Sequence, residues 1–478
     1  MSFRTFIKSW GVLLLAPLLL TIFLIGVSYG ETYNLRAEVK VIPAGTFGNL
    51  SSVTMWGFAK CTDATFANCS TARVPGPTLT ATVGTPLIIT VKNNLTGPYI
   101  EPVSLVVNGQ RATEAGAMTP VWTDGTSGAR GVDTAKRVRS FTHEAAINGG
   151  TATYQWSSPR QGTYLYESGT HPGVQVQMGL YGPLIVYPAG GPGTAYGASY
   201  DAEATLLFSE IDPALHVAIS SGLYGPTPPD PRPDGWMTSP TGYRPQFFLV
   251  NGSPYTAASP SVAAGTPGDT VLLRLLNAGL ENKTPTLQDP YHLLANQHMR
   301  VIAEDGNQLP GSGKRQYSQL LPPGKTMDAI LTTQDNGVGG GNIVVYDRML
   351  NLSNSSFSPG GALTHLNVGQ VPALTALPNV LNFGDVPLFR PTQMVVTVKN
   401  DGLAPLIFSA TPGISGPDAA EFRTVFGLTT VQPGTSANLS ILFRPTTPGP
   451  KSATLTLATD DPNVPGLTLA IQIFANVK

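Results

Sequence analysis

Residues 162–186, GTYLYESGTHPGVQVQMGLYGPLIV, combine a carboxylate, an imidazole and a thioether in what the pattern predicts to be a loop between two strands. Glu167, His171 and Met178 are the oxygen, nitrogen and sulfur ligands with which proteins bind Cu(II) and, more weakly, other divalent metals. His143, in SFTHEA, becomes a further ligand if the preceding hairpin folds back toward the loop. The four residues are therefore candidate ligands of one mononuclear metal site. Alternatively, His171 hydrogen-bonds the loop backbone and Met178 fills the core.

Other arrangements of reactive residues receive little support from the sequence. His292 and His298 fall on a strand-like run, where alternation places both on one face. Ser209 and His216 are close in TLLFSEIDPALH, but no Gly-x-Ser-x-Gly elbow surrounds the serine. The chain also shows no phosphate-binding loop, no zinc-type Cys/His spacing and no EF-hand loop. These patterns argue against a hydrolase.

The N-terminus indicates export. Residues 1–30 contain two cations, then an apolar run from residue 11 to 27, then small residues, which is the pattern of a secretory signal peptide. The alternative is a retained anchor, since about 17 apolar residues lie at the lower limit for spanning a bilayer. Cys61 and Cys69 are the only cysteines, and in an oxidising compartment their proximity predicts a disulfide.

Composition predicts a β-rich protein of several domains. Charged residues make up 12% of the 478 residues and the net charge is −1, which argues against binding to nucleic acid or, after signal cleavage, to a membrane. Short β-branched and aromatic runs alternate with Gly, Pro, Asn and Asp, as in all-β sandwiches. Only DPALHVAISSGL (212–223) is compatible with a short helix. Linkers at 187–201 and 367–379 divide the exported chain into units of about 31–190, 200–368 and 378–478.

The first two units resemble the cupredoxin domains of multicopper oxidases. VPGPTLTATVGTPLIITVKNNL (74–95) is similar to the opening of such a domain, and GTYLYESGTHPGVQVQMGLYGPLIV to its end. FFLVNGSPY (247–255), GDTVLLRLLNAG (268–279), HMRVIAEDGNQL (298–309) and LPPGKTMDAIL (321–331) continue the likeness through the second unit. The resemblance implies two consecutive Greek-key β-sandwich or barrel domains over roughly 340 residues.

The copper ligands that the resemblance implies are missing. A working multicopper oxidase uses eight His for its trinuclear cluster, mostly in His-x-His pairs, and a Cys with two His for its blue copper. This chain has six His and no His-x-His pair. EPVSLVVNGQ (101–110) stands where the first pair is expected, and Glu167-Ser168-Gly169 stands where the family reads His-Ser-His. Ser168, His171 and Met178 follow the order of a blue-copper loop whose Cys has become Ser.

The third unit resembles the Ig-like β-sandwich repeats of bacterial surface proteins and of the ASPM–SPD-2–hydin family. The likeness rests on LNFGDV, VKNDG and FRPTTPG before ATLTL. Such domains serve as spacers or protein-contact modules, so protein contacts through this domain are expected.

Two functions remain open on sequence grounds. The first is an exported, secreted, periplasmic or cell-surface multicopper-oxidase-like protein with at most mononuclear copper and limited redox activity as an oxidoreductase. The second is a non-enzymatic structural or adhesion protein on a metal-free cupredoxin scaffold, since a fold can persist after its chemistry is lost.

Overall fold

The computed structural model describes the chain from residue 30 onward in fifteen segments. They are residues 30–46, 51–113, 119–122, 138–225, 231–238, 242–256, 259–334, 340–355, 358–369, 372, 374–401, 405–425, 427–461, 464 and 468–478. The predicted signal peptide lies outside them, apart from its last residue. Neither of the two α-helices in these segments is long and apolar enough to cross a lipid bilayer.

The first domain is a sandwich of two four-stranded sheets. Its elements are β1 (Glu31–Ile42), β2 (Val53–Cys61), β3 (Leu79–Thr82), β4 (Leu87–Asn93), β5 (Val106–Val107), β6 (Val121–Trp122), β7 (Val138–Ser140), β8 (Thr151–Trp156), β9 (Gly162–Glu167), α1 (Pro172–Met178) and β10 (Tyr181–Tyr187). The sheets have the orders β2-β1-β4-β8 and β3-β10-β9-β5. Leu87, Ile89 and Val91 of β4 are at most 1% exposed, as expected where alternate side chains enter the core. Cys61 and Cys69 form the predicted disulfide.

The second domain pairs a seven-stranded sheet with a four-stranded one. Its elements are β11 (Thr194–Ala195), β12 (Ala198–Ser199), β13 (Ala202–Ile211), α2 (Pro213–Ser220), β14 (Phe247–Val250), β15 (Val262–Ala263), β16 (Thr270–Asn277), β17 (Pro285–Gln288), β18 (Met299–Glu304), β19 (Asn307–Gln308), β20 (Lys314–Gln316), β21 (Thr326–Thr332), β22 (Gly340–Asp347) and β23 (Leu363–Gly369). The larger sheet runs β14-β13-β16-β21-β18-β19, with β20 also paired to β18, and the smaller runs β15-β23-β22-β17. The predicted short helix is α2, and the Asp212 carboxylate caps it by accepting a hydrogen bond from the N–H of Ala214 at 2.9 Å.

The first two domains share a buried interface. In β16 every residue after the first is buried, which is the pattern of a strand covered on both faces. Leu276 of β16 and Leu207 of β13 pack with Leu165, Val176 and Tyr181 of the first domain. The second face of the larger sheet is therefore covered by the neighbouring domain.

The third domain is a sandwich of two four-stranded sheets. Its elements are β24 (Leu374–Leu377), β25 (Val380–Val386), β26 (Thr392–Asn400), β27 (Leu406–Ile407), β28 (Gly413–Ser415), β29 (Phe422–Thr424), β30 (Thr430–Val431), β31 (Ser436–Phe443), β32 (Gly449–Ala458) and β33 (Thr468–Val477), with a 3-10 turn at Ala419–Glu421. The sheets have the orders β24-β26-β31-β29 and β25-β33-β32-β28. All three domains are sandwiches, so the all-β prediction is confirmed.

Candidate functional site at the His171 loop

The segment between β9 and β10, called the His171 loop (168–180), contains a helix that the sequence pattern does not predict. Pro172 occupies the first turn of α1, where its fixed φ suits a helix and its missing N–H is not needed. Val174 and Met178, four residues apart, share a face that packs into the core of the first domain. Val176 points to the other side and packs against the second domain. Burial on both sides therefore stabilises a helix at residues 172–178, where the sequence pattern predicts a loop.

His171 forms a hydrogen bond with a carboxylate that the sequence does not single out. Its Nδ1 lies 2.8 Å and 2.9 Å from the two carboxylate oxygens of Glu101. The Glu101 side chain is only 15% exposed, whereas the imidazole is 36% exposed. Burial opposes ionisation of Glu101, but the hydrogen bond and charge of His171, with help from Tyr99 and Gln175, keep the pKa of Glu101 below its ordinary value. The Nδ1 atom of His171 is thus already committed to a partner.

Ser168 and Met178, which together with His171 follow the order of a blue-copper loop, lie in separate environments. Ser168 donates its hydroxyl to the Gln175 side-chain oxygen at 2.7 Å, and Gln175 in turn donates to the Pro102 carbonyl at 2.9 Å. Met178 is completely buried in the core of the first domain. Ser168 and Met178 therefore serve packing and hydrogen bonding of the loop.

His143 lies against a strand of the opposite sheet. Its Nε2 donates to the Thr153 carbonyl at 3.0 Å, and its Nδ1 lies 3.2 Å from the Thr142 hydroxyl. The ring also stacks on Tyr154, with centroids 4.6 Å apart. Both ring nitrogens of His143 consequently have protein partners.

Glu167 lies opposite the segment in which the first His-x-His pair is expected. Residues Val106 and Glu167 are directly paired across β5 and β9. The Glu167 carboxylate accepts a hydrogen bond from the Asn108 amide at 2.7 Å. Burial raises the pKa of Glu167 to about 7, although the Asn108 amide partly opposes the shift. Glu167 therefore carries a proton over part of the neutral pH range.

Gly169 stands where the last imidazole of the family's His-Ser-His is expected, and its surroundings leave no space for a side chain. A Cβ atom on Gly169 would lie 2.7 Å from Cγ1 of Val106 and 3.0 Å from the Ser104 hydroxyl. Real Cβ atoms essentially never approach other atoms as closely as the first of these distances. The side chain of Val106 thus fills the space beside the Cα atom of Gly169.

A network of hydroxyl groups continues behind the loop. Thr170 donates to the Ser104 hydroxyl at 3.0 Å or to the Glu144 carboxylate at 2.9 Å. Ser104 also lies 2.9 Å from the Ser140 hydroxyl. All three hydroxyl residues are fully buried, so their mutual hydrogen bonds replace contacts with water. The polar groups around the loop are therefore satisfied mainly by one another.

The described segments contain no group of three or more His, Cys, Asp or Glu side chains placed to hold a metal ion. Each of the four candidate ligands has its own set of protein contacts, as is true of His171, His143, Glu167 and Met178. A mononuclear site at these four residues stays a prediction. His292 and His298 do not lie on a strand, because β18 begins only at Met299, so the prediction of a shared strand face is wrong.

Glu167→Gln is expected to remove a pH dependence from the stability of the protein. The folded chain keeps the Glu167 proton up to a pKa of about 7, whereas the unfolded chain releases it near the ordinary 4.5. Stability from this group is therefore present at low pH and lost as the pH rises from 4.5 to 7, by about 1–3 kcal/mol. Urea denaturation at pH 5 and pH 8 measures the difference.

The matched control for this prediction is Glu38→Gln, which changes a partly buried carboxylate that lies 2.9 Å from the guanidinium of Arg36. It should leave the difference between pH 5 and pH 8 as in the wild type. An unchanged pH dependence in Glu167→Gln would contradict the raised pKa.

Comparison with known proteins identifies all three domains. Residues 62–190 and residues 230–363 each match a family model for multicopper oxidases. Residues 372–473 match the model for the HYDIN/CFA65/VesB-like Ig-like domain. The matches agree with the resemblances seen in the sequence and with the three sandwiches of the structure.

Individual relatives cover parts of the chain. An L-ascorbate oxidase of Cucumis sativus is 33% identical over 181 residues, which are 37% of this chain and 24% of the relative. A protein named putative laccase-5 of Oryza sativa subsp. japonica is 25% identical over 272 residues, 55% of this chain and 41% of the relative. The chain thus matches about a quarter to two fifths of the length of these curated relatives. Among solved structures, the blue copper oxidase from Nitrosomonas europaea aligns with a TM-score of 0.49 at 17% identity, covering 71% of this chain and 86% of that one. On the family matches, the chain belongs to the multicopper oxidase family through its first two domains and carries a HYDIN/CFA65/VesB-like Ig-like domain behind them.

Proposed function

We propose that this chain is an exported, non-enzymatic structural or adhesion protein, built on a cupredoxin scaffold whose His171 loop serves as a hydrogen-bonded structural element. The observation that carries the proposal is the contact between Val106 and Gly169, which fills the space that a ligand side chain at position 169 would need. The fold of the family persists here around a site whose contacts are structural.

The residues at the expected copper positions do not fit the trinuclear or the blue copper centre of the family. The six His and the absence of any His-x-His pair fall short of the eight imidazoles that the family's cluster uses. Where β5 and β9 end side by side, the Asn108 amide donates a hydrogen bond to Glu167, and Val106 packs on Gly169. Because a serine hydroxyl stands where blue copper needs a soft thiolate, and Met178 is packed in the core of the first domain, we assign no copper-dependent step to the chain.

The proposal includes export of the chain and contact of its Ig-like domain with a partner protein. The signal-peptide pattern of residues 1–30 and the disulfide between Cys61 and Cys69 both suit an oxidising compartment outside the cytoplasm. In the Ig-like domain, strands β24 and β29 end one sheet, and β25 and β28 end the other. Edge strands carry unpaired backbone groups that can accept a strand from a partner protein.

A mononuclear copper protein is the second candidate, and one observation favours it. The imidazole of His171 is 36% exposed and has the Glu101 carboxylate beside it, so a nitrogen and an oxygen ligand lie together near the surface. Cu(II) binds such ligands.

Metal loading separates the two candidates. The full chain is incubated with Cu(II), freed of unbound metal, and compared with His171→Ala by metal analysis and electron spin resonance. His292→Asn is the matched control, because His292 is exposed, lies outside the loop, and has a positive φ that Asn tolerates. The structural proposal predicts equal, substoichiometric copper in all three proteins and no oxygen uptake with a phenolic substrate.

One equivalent of copper in the wild type and in His292→Asn, lost in His171→Ala, would overturn the structural proposal in favour of the second candidate. Oxygen uptake that depends on bound copper would overturn it as well.

A further inference from the structure

A buried lysine and a buried glutamate meet in the second domain, outside the His171 loop. Glu210 belongs to β13, and Lys283 lies between β16 and β17. Both side chains are completely buried, and Nζ of Lys283 lies 2.9 Å from Oε2 of Glu210. Despite this short distance, neither atom has a hydrogen-bond partner among the residues that the structure describes. The two groups are therefore close together in the interior without the hydrogen bonds that normally satisfy a buried ion pair.

The backbone around residue 280 holds the Glu210 carboxyl group in place. Its Oε1 accepts hydrogen bonds from the N–H groups of Leu280 at 2.6 Å and Glu281 at 3.0 Å. The chain also passes so close at Gly279 that a Cβ atom there would collide with the carboxylate. Two backbone N–H groups on one carboxyl oxygen stabilise the negative charge that develops on it when a nucleophile attacks the carbon. Oε1 is stabilised in this way, and Oε2 lies beside the lysine nitrogen.

Glu281 places a second carboxylate beside the lysine. Its Oε2 lies 3.8 Å from Nζ of Lys283, and its side chain is 42% exposed. Burial, together with the charge of Glu210, raises the pKa of Glu281, although the charge of Lys283 opposes the shift. A carboxylate beside an amine can take up a proton and return it during a reaction. The three side chains therefore bring together a nucleophile, an acyl carbon and a proton carrier.

We propose that Lys283 and Glu210 condense to an intramolecular amide bond, which cross-links β13 to the segment before β17. The ion pair is the state of the folded chain before this reaction, and a proton first passes from the ammonium to Oε2 of Glu210. Nζ then attacks Cδ of Glu210 and the N–C bond forms, while Glu281 takes one proton from the nitrogen. Glu281 returns this proton to Oε2, the Cδ–Oε2 bond breaks, and one water molecule leaves.

The protein interior favours the amide for two reasons. The bond replaces two buried charges by one neutral group, which removes the cost of keeping the ions away from water. The nitrogen is also held beside the carboxyl group, so the reaction needs no encounter between separate molecules. As the amide oxygen, Oε1 keeps both of its backbone N–H donors. Formation of the bond requires neither copper nor the His171 loop.

Mass spectrometry of the full chain tests for the bond. Wild type and Glu210→Ala are purified in the same way, denatured, and freed of the disulfide by reduction. The difference between their masses should fall short of the difference between their sequences by one water molecule, because only the wild type loses water. Trypsin cuts only after a free lysine or arginine side chain, so it should fail to cut after Lys283 in the wild type and should cut there in Glu210→Ala.

A second lysine–glutamate pair serves as a control within the same chain. Nζ of Lys325 also lies 2.9 Å from a carboxylate oxygen of Glu304, but these side chains are 23% and 21% exposed. Water solvates both charges there, so no amide should form and trypsin should cut completely after Lys325. This comparison uses the wild type alone and stays valid if Glu210→Ala does not fold.

Glu281→Gln tests the proton carrier. The variant keeps the size of the side chain but cannot take up the proton, so cross-linking should be roughly 100-fold slower or more. The fraction of chains that lack one water is measured at intervals after synthesis. Glu304→Gln, the matched change beside Lys325, should cross-link as fast as the wild type.

A wild type that retains the full mass of its sequence, or complete cutting after Lys283, would overturn the proposed bond. Equal rates of cross-linking in Glu281→Gln and the wild type would overturn the role of Glu281.

Discussion

Lys283→Met is expected to lower the free energy of unfolding by about 3–5 kcal/mol. Lys283 and Glu210 are both fully buried, and Nζ of Lys283 lies 2.9 Å from Oε2 of Glu210. Without the ammonium group, the Glu210 carboxylate stays in the protein interior without a counterion. The backbone N–H groups of Leu280 and Glu281, at 2.6 Å and 3.0 Å, still donate to the carboxylate and cannot balance its charge. Chemical denaturation with a fluorescence readout measures the loss.

Two further variants make this result interpretable. Lys314→Met removes an ammonium that is 62% exposed and 3.9 Å from Glu304, so it should cost less than about 0.5 kcal/mol. The double variant Lys283→Met with Glu210→Gln removes both charges and should recover a large part of the lost stability. A loss below about 1 kcal/mol in Lys283→Met would contradict the account of Glu210 as an uncompensated buried charge.

Arg274→Met is expected to have an effect of similar size and, in addition, to uncouple the first two domains. Arg274 of β16 is 2% exposed and donates to Glu203 at 2.8 Å and to Asp328 at 3.3 Å. It also donates at 2.8 Å to the hydroxyl of Thr163, which belongs to the first domain. Burial opposes the charge, but Asp328 and Glu203 outweigh it and raise the pKa of Arg274. The substitution leaves Asp328 buried without its cation, at a cost of about 3–5 kcal/mol.

Differential scanning calorimetry checks the uncoupling. In the wild type the first two domains should unfold together, and in Arg274→Met they should give two separate transitions. Arg315→Met, which changes an exposed arginine of β20, is the control and should keep the wild-type profile. Joint unfolding of the two domains in Arg274→Met would contradict the uncoupling and show that the other contacts of the interface hold the domains together.

The regular parts of the structure follow from local sequence patterns. The alternation in β4, the buried run of β16, the helix α2 after its Asp212 cap and the pairing of Cys61 with Cys69 depend on residues close together in the chain. These features could be predicted because periodicity and capping act over a few residues.

The parts that could not be predicted depend on residues far apart in the chain. Helix α1 forms because Val174 and Val176 find apolar partners in two different domains, although Gly and β-branched residues favour a loop or strand. Glu101 pairs with His171 across 70 positions, so no local pattern marks it as a partner. No local pattern marks Lys283 as buried, and only its tertiary contacts reveal the burial.

The fit between Val106 and Gly169 also constrains how this protein can evolve. A larger residue at position 169 collides with Cγ1 of Val106 unless position 106 changes first to a smaller residue. Reducing Val106 alone opens a void and costs stability, so either order of substitution passes through a less stable protein. The effects of substitutions at the two positions on stability therefore depend on each other. A lineage that gains an imidazole at position 169 needs a free energy of unfolding large enough for the less stable single variant to stay folded.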